Sequence, residues 1–173
     1  PAWNCCDLSQ NPQFALAAGM FPAGSRYQGM EVRPMPDCAG FLRGLFRSLH
    51  PAATDVNIVE LKPMPELGEV FRKLNQAADE QTRLLGFPPT RYDAGGLVVE
   101  YTEAGTRFRE GLVTCLVDLR AAAAMWNNQH TQMMRAPVKE AKQWKPVLDI
   151  ICQSVRLNPE WFARASKAGA QAA

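Results

Sequence analysis

The sequence predicts an α+β domain, a mainly antiparallel sheet covered by amphipathic helices. Three observations carry that expectation. Between Gly95 and Met134, three strand-like runs follow one another through short connections: Leu97–Glu103, Phe108–Leu119 and Met125–Met134. Two other stretches, one after Asp37 and one over Glu66–Leu85, repeat apolar residues at helical spacing. At 173 residues and 47% hydrophobic content the chain is long enough to bury a core, and one domain over 1–173 is expected.

The elements can be justified in order. Ala2–Leu8 reads as extended, anchored by Trp3, and Ser9-Gln10-Asn11-Pro12 reads as a turn. Phe14–Phe21 is expected to be a strand that pairs with it, and Tyr27–Val32 a further short strand. Asp37 is a good helix N-cap. Cys38, Phe41, Leu42, Leu45 and Leu49 then form one stripe, with Arg43 and Arg47 on the wet side. His50-Pro51 ends that helix, because a residue before proline is pushed out of the α region. Asp55–Leu61 is short, β-branched and apolar, hence a strand.

Glu66–Leu85 is read as one helix, with acids in its first turn, Arg83 in its last and Gly86 at its C-terminal cap. In the meander, Leu97, Val99 and Tyr101 alternate with Val98, Glu100 and Thr102, and Gly105 can take the positive φ of a tight hairpin. Leu112, Val113, Cys115, Leu116 and Val117 make the middle strand apolar on both faces, the mark of a central strand. Trp144, Val147, Leu148, Ile151, Cys152 and Val155 predict a closing helix that packs on the sheet, with Pro146 opening or kinking it. Asn158-Pro159-Glu160 signals a last short helix, and 165–173 a frayed tail.

A formal net charge of +2, from 19 basic and 17 acidic residues with no basic run, argues against a nucleic-acid partner. No apolar stretch reaches the roughly 20 residues of a membrane span. No leader pattern opens the chain, although a start at Pro1 leaves room for an upstream segment. Five cysteines without paired metal-ligand spacing disfavour zinc, and neither a metal nor another cofactor is expected. The thiols read as structural and reduced, which favours a cytoplasmic setting; a disulfide from Cys5 or Cys6 to Cys38 is the alternative.

A catalytic constellation is missing from the pattern. Of the two histidines, His50 reads as a cap or surface residue at a helix end. His130 lies in a run that is polar on both faces, Trp126 to Gln132, which suits an exposed edge strand. The sharper reading puts Asn128, His130 and Gln132 on one ligand-facing surface, with Glu100 and Arg109 from the neighbouring strands as further candidates. Cross-strand ion pairing is the ordinary account of Glu100 with Arg107 and Arg109.

The meander, Met134-Arg135-Ala136-Pro137 after it, the helix ending Ile150-Ile151-Cys152-Gln153-Ser154-Val155, and Asn158-Pro159-Glu160-Trp161 together resemble the C-terminal half of the PsbP/Mog1-like superfamily. The resemblance implies a bacterial member with that superfamily's layered α/β/α fold. It also implies protein binding, as in relatives that bind a small GTPase or photosystem subunits. The binding residues of those relatives have no counterparts in this sequence. The expected function is therefore a non-catalytic binding or protein-interaction module with a protein partner, on its own or as an accessory domain of a longer protein. The competing expectation is a small-ligand binder or enzyme using the polar strand around His130.

Overall fold

A computed structural model describes residues 3–154, with the side chains of Cys152 and Gln153 left aside. The chain divides into two compact units, Pro1–Val138 and Lys139–Ala173. The first holds a seven-stranded sheet, ordered β2-β3-β1-β7-β6-β5-β4. The strands are β1 (Asn4–Cys6), β2 (Arg26–Tyr27), β3 (Met30–Val32), β4 (Thr54–Pro63), β5 (Arg91–Glu103), β6 (Thr106–Asp118) and β7 (Met125–Pro137). All neighbours pair antiparallel except β1 with β3. The α+β class with a mainly antiparallel sheet is therefore what the chain forms.

The β5–β6 hairpin turns at Ala104-Gly105, both at positive φ, and runs in unbroken register from Glu103↔Thr106 to Arg91↔Asp118. That register decides which side chains share a face. Leu97, Val99 and Tyr101 stand opposite Leu112, Glu110 and Phe108 on one side. The helix α2 (Cys38–Leu49) covers this side, and Phe41, Leu42, Leu45 and Phe46 pack with Leu97, Val99, Tyr101, Leu112, Leu116 and Trp126. Asp37 caps α2 by accepting from the Gly40 N–H at 2.7 Å, and Asp93 accepts from the Cys38 N–H at 2.8 Å.

Three expectations are corrected. Phe14–Phe21 is not a strand: a 3-10 turn (Pro12–Phe14) leads into the helix α1 (Ala15–Met20). Asn11 accepts from the Gln13 N–H, Pro12 opens the turn, and the alanines that follow favour helix. β1 pairs instead with β3 and β7. Tyr27–Val32 is a tight hairpin, β2 to β3, turning on Gln28 and Gly29 at positive φ.

Glu66–Leu85 is two helices, α3 (Pro65–Leu74) and α4 (Gln76–Leu84). Asn75 breaks them at φ −100, ψ 9, its side chain donating to the Phe71 carbonyl at 2.9 Å. α3 lies on the sheet face opposite α2. Gly68 permits the approach, since a Cβ there would meet the Tyr92 carbonyl oxygen at 3.3 Å. Val70 and Leu74 of α3 stay exposed.

A short helix α5 (Arg120–Ala123) joins β6 to β7. Arg120 pins this corner, reaching Asp118 at 2.9 Å and Asp7 at 3.0 Å. In the second unit the helix α6 (Ala141–Ser154) runs through Pro146 rather than starting at it, with a Lys145–Asp149 ion pair one turn apart. The expected contact of Val155, the helix at Asn158-Pro159-Glu160 and the tail 165–173 lie outside the described residues. No helix among the described residues is long and apolar enough to cross a membrane.

Candidate functional site

A cleft bordered by chemically distinctive groups lies between α2 and β4. β4 is one edge of the sheet and, among the described residues, pairs only with β5. Its pairing slips twice, between Thr54 and Asn57 and between Ile58 and Glu60, with Asp55 at φ 50. Val56, Ile58 and Val59 are 48%, 44% and 42% exposed, unusual for a β-branched apolar run. α2 sits mainly above β5 and β6, so the face above β4 is left open. A cleft of about 570 Å³ results, walled by Arg43, Phe46 and Arg47 of α2 and by Val56 and Ile58 of β4, with Leu97 and Val99 also lining it. Its size falls in the ordinary range for ligand sites, roughly 300–1,000 Å³.

His50 closes one end of this cleft. Pro51 forces it out of the helix, and it sits at φ −125 as the C-terminal cap of α2. That turns its ring onto the β5–β6 hairpin. Nε2 lies 2.9 Å from Glu110 Oε2, and Nδ1 lies 3.2 Å from Glu103 Oε1. The Tyr101 hydroxyl, fully buried, donates to Glu110 Oε2 at 2.6 Å. Arg135 of β7 donates to Glu103 Oε2 at 2.6 Å while its guanidinium lies 3.6 Å over the Phe108 ring.

Electrostatics fit this closed arrangement. The hydrogen bond from His50, with the Arg135 hydrogen bond and charge added, holds the Glu103 carboxyl below its usual value. Burial, then the hydrogen bond to Glu110, raises the Tyr101 phenol. Glu110, only 3% exposed, is satisfied because two partners converge on it. Both His50 nitrogens face carboxylates, so the ring is a clasp between helix end and hairpin. Sequence reasoning took it for a cap or surface residue. The cap is there; the clasp was missed.

The residues singled out from sequence do not form one surface. Asn128 pairs with Leu116 and so points to the α2 side, where its Oδ1 accepts from the Trp3 N–H at 2.6 Å and its Nδ2 donates to Thr131 Oγ1 at 2.6 Å. Gln132 pairs with Val113 and points to the opposite face. Between them the ladder slips, and His130 sits in the irregularity at φ 53 with its ring 5.6 Å from Phe71 of α3. The extra residue is what separates Asn128 from Gln132, since it resets the alternation of faces. Glu100 and Arg109 do meet, at 3.2 Å, with Arg107 3.5 Å away, as a cross-strand ion pair on the α3 side.

The four described thiols are poor nucleophiles, each pushed up by burial. Burial, with Asp93 nearby, pushes Cys38 up to about 12 and Cys115 up to about 11. Cys5, Cys6, Cys38 and Cys115 are all free, so no disulfide joins Cys38 to the N-terminal pair. Among the described residues, no group of three or more His, Cys, Asp or Glu side chains is arranged to hold a metal ion. No family model matches the chain, and no curated protein and no solved structure matches it.

Proposed function

We propose that this chain is a non-catalytic protein-interaction module that receives a segment of its partner in the cleft between α2 and β4. The observation that carries the reading is the open edge strand: β4 exposes Val56, Ile58 and Val59 beside a cleft whose other wall is a well-anchored helix. A strand edge has backbone donors and acceptors to offer, and an apolar groove next to it receives alternate side chains of an added strand. The His50 clasp supports the reading too, because it fixes the C-terminal end of α2 against the hairpin and holds that wall in place.

Kinship with PsbP/Mog1-like proteins belongs to the same proposal and rests on the sequence resemblance alone. So does a cytoplasmic setting, which the four free, buried cysteines favour. The small-ligand or enzyme reading around His130 loses its support when Asn128 and Gln132 face opposite ways.

The test is selection of peptides from a random display library on the intact chain, with binding remeasured on Ile58→Asp. The reading expects recovered peptides that lose binding to this variant while its circular dichroism stays native. Peptides that bind wild type and Ile58→Asp equally would overturn it.

A further inference from the structure

The walls of the cleft differ in charge as well as in polarity. Arg43 and Arg47 lie one turn apart on the exposed side of α2 and both line the cleft. Neither has an ion-pair partner among the described residues, although the other lining residues of the cleft are apolar apart from His50. Elsewhere on the sheet Arg107 and Arg109 hold Glu100, and Arg135 holds Glu103; Arg26 and Arg91 make no ion pair among the described residues, but neither lines this cleft. On β4 itself, Glu60 is neutralised by Lys62 at 2.9 Å.

From this we infer that the partner segment is extended and acidic, with carboxylates and apolar residues taking turns along the one face it presents to the cleft. The inference rests on the cleft reading above and adds the chemistry of the occupant. An added strand pairs with the outer edge of β4, the side not taken by β5. Its side chains then point alternately to the two faces of the sheet. Those on the α2 side pack on Val56 and Ile58 and come under Arg43 and Arg47. Guanidinium groups recognise carboxylates through paired N–H donors, so they select acidic over neutral side chains at that height. The two slips in β4 serve the same end. A bulged, twisted edge resists flat pairing with a second copy of itself and leaves recognition to a segment whose side chains suit the cleft.

Fluorescence anisotropy with three labelled peptides tests this: each has threonine at every second position, and at the positions between, leucine takes turns with glutamate, with glutamine or with lysine. The glutamate peptide should bind about five- to tenfold more tightly than the glutamine peptide at low salt, the scale of two exposed ion pairs, and the lysine peptide most weakly. In the Arg43→Ala/Arg47→Ala double variant, both exposed positions, that preference should vanish, the glutamate and glutamine peptides then binding alike. Ile58→Asp, with Val56→Asp as a second variant, should weaken all three. Equal binding of the three peptides, all lost in Ile58→Asp, would overturn the acidic preference and leave the cleft reading standing. A preference that survives the double arginine variant would also overturn it. Binding untouched by either β4 variant, or no binding at all, would remove both.

Discussion

The two histidines mark two regions of opposite character. His50 sits at a helix end against a proline, where the local sequence promises a cap, and it is clamped by two carboxylates at 2.9 and 3.2 Å. His130 lies in the polar run that looks like a site, and it occupies a slip in the β6–β7 ladder beside Phe71. The difference lies in sequence separation. The partners of His50 come from a hairpin more than fifty residues away, Glu103 being 53 positions on. The neighbours that were to make His130 a site, Asn128 and Gln132, are local, and one irregularity is enough to turn them apart. Local polarity says little about a histidine's role; long-range strand register says much more.

The sharpest way to break this contrast is to remove the clasp. His50→Ala leaves Glu110 a buried carboxylate with the Tyr101 hydroxyl as its remaining partner, so a loss of about 3 kcal/mol is expected in urea denaturation. Next comes Tyr101→Phe, which takes one hydrogen bond from that carboxylate and should cost about 1–2 kcal/mol by the same measurement.

A third prediction concerns pH. The Glu103 carboxyl is lowered from 4.5 by His50 and Arg135. A folded value below the unfolded one gives stability that is fully present above the unfolded value and lost as pH falls through the folded one. The fall in urea midpoint between neutral and strongly acid pH should therefore be smaller in Glu103→Gln than in wild type. An equal fall in both would mean the ties to Glu103 do not survive in solution. The smallest effect belongs to the other histidine. At φ 53 a glycine is at least as comfortable as a histidine, so His130→Gly should change stability by less than about 1 kcal/mol, in the stabilising direction.

Much of the fold was legible because it depends on local signals. Asp37 and Pro51 bracket α2, and the Ala104-Gly105 turn sets the hairpin register. Phe14–Phe21 misled because its aromatic ends look strand-like while its alanine-rich middle favours helix. Asn75 escaped notice because a helix break by side-chain competition leaves no proline or glycine behind. The clasp had a signal: Glu110 alternates with Phe108 and Leu112, so period two sets an acid on the core face. What the pattern does not carry is the partner. Only the packing of α2 across the hairpin brings His50 to it. The exposure of β4 was equally out of reach, since Asp55–Leu61 has the composition of a buried strand, and where α2 lies above the sheet decides what stays open.

The proposed function puts binding in the α2–β4 cleft and not on the polar strand around His130. Amide chemical-shift mapping during titration with the leucine–glutamate peptide tests it most directly. The account predicts perturbations gathered over 43–50 and 54–63, with 125–137 unmoved. Shifts centred on 127–132, with β4 silent, would contradict it.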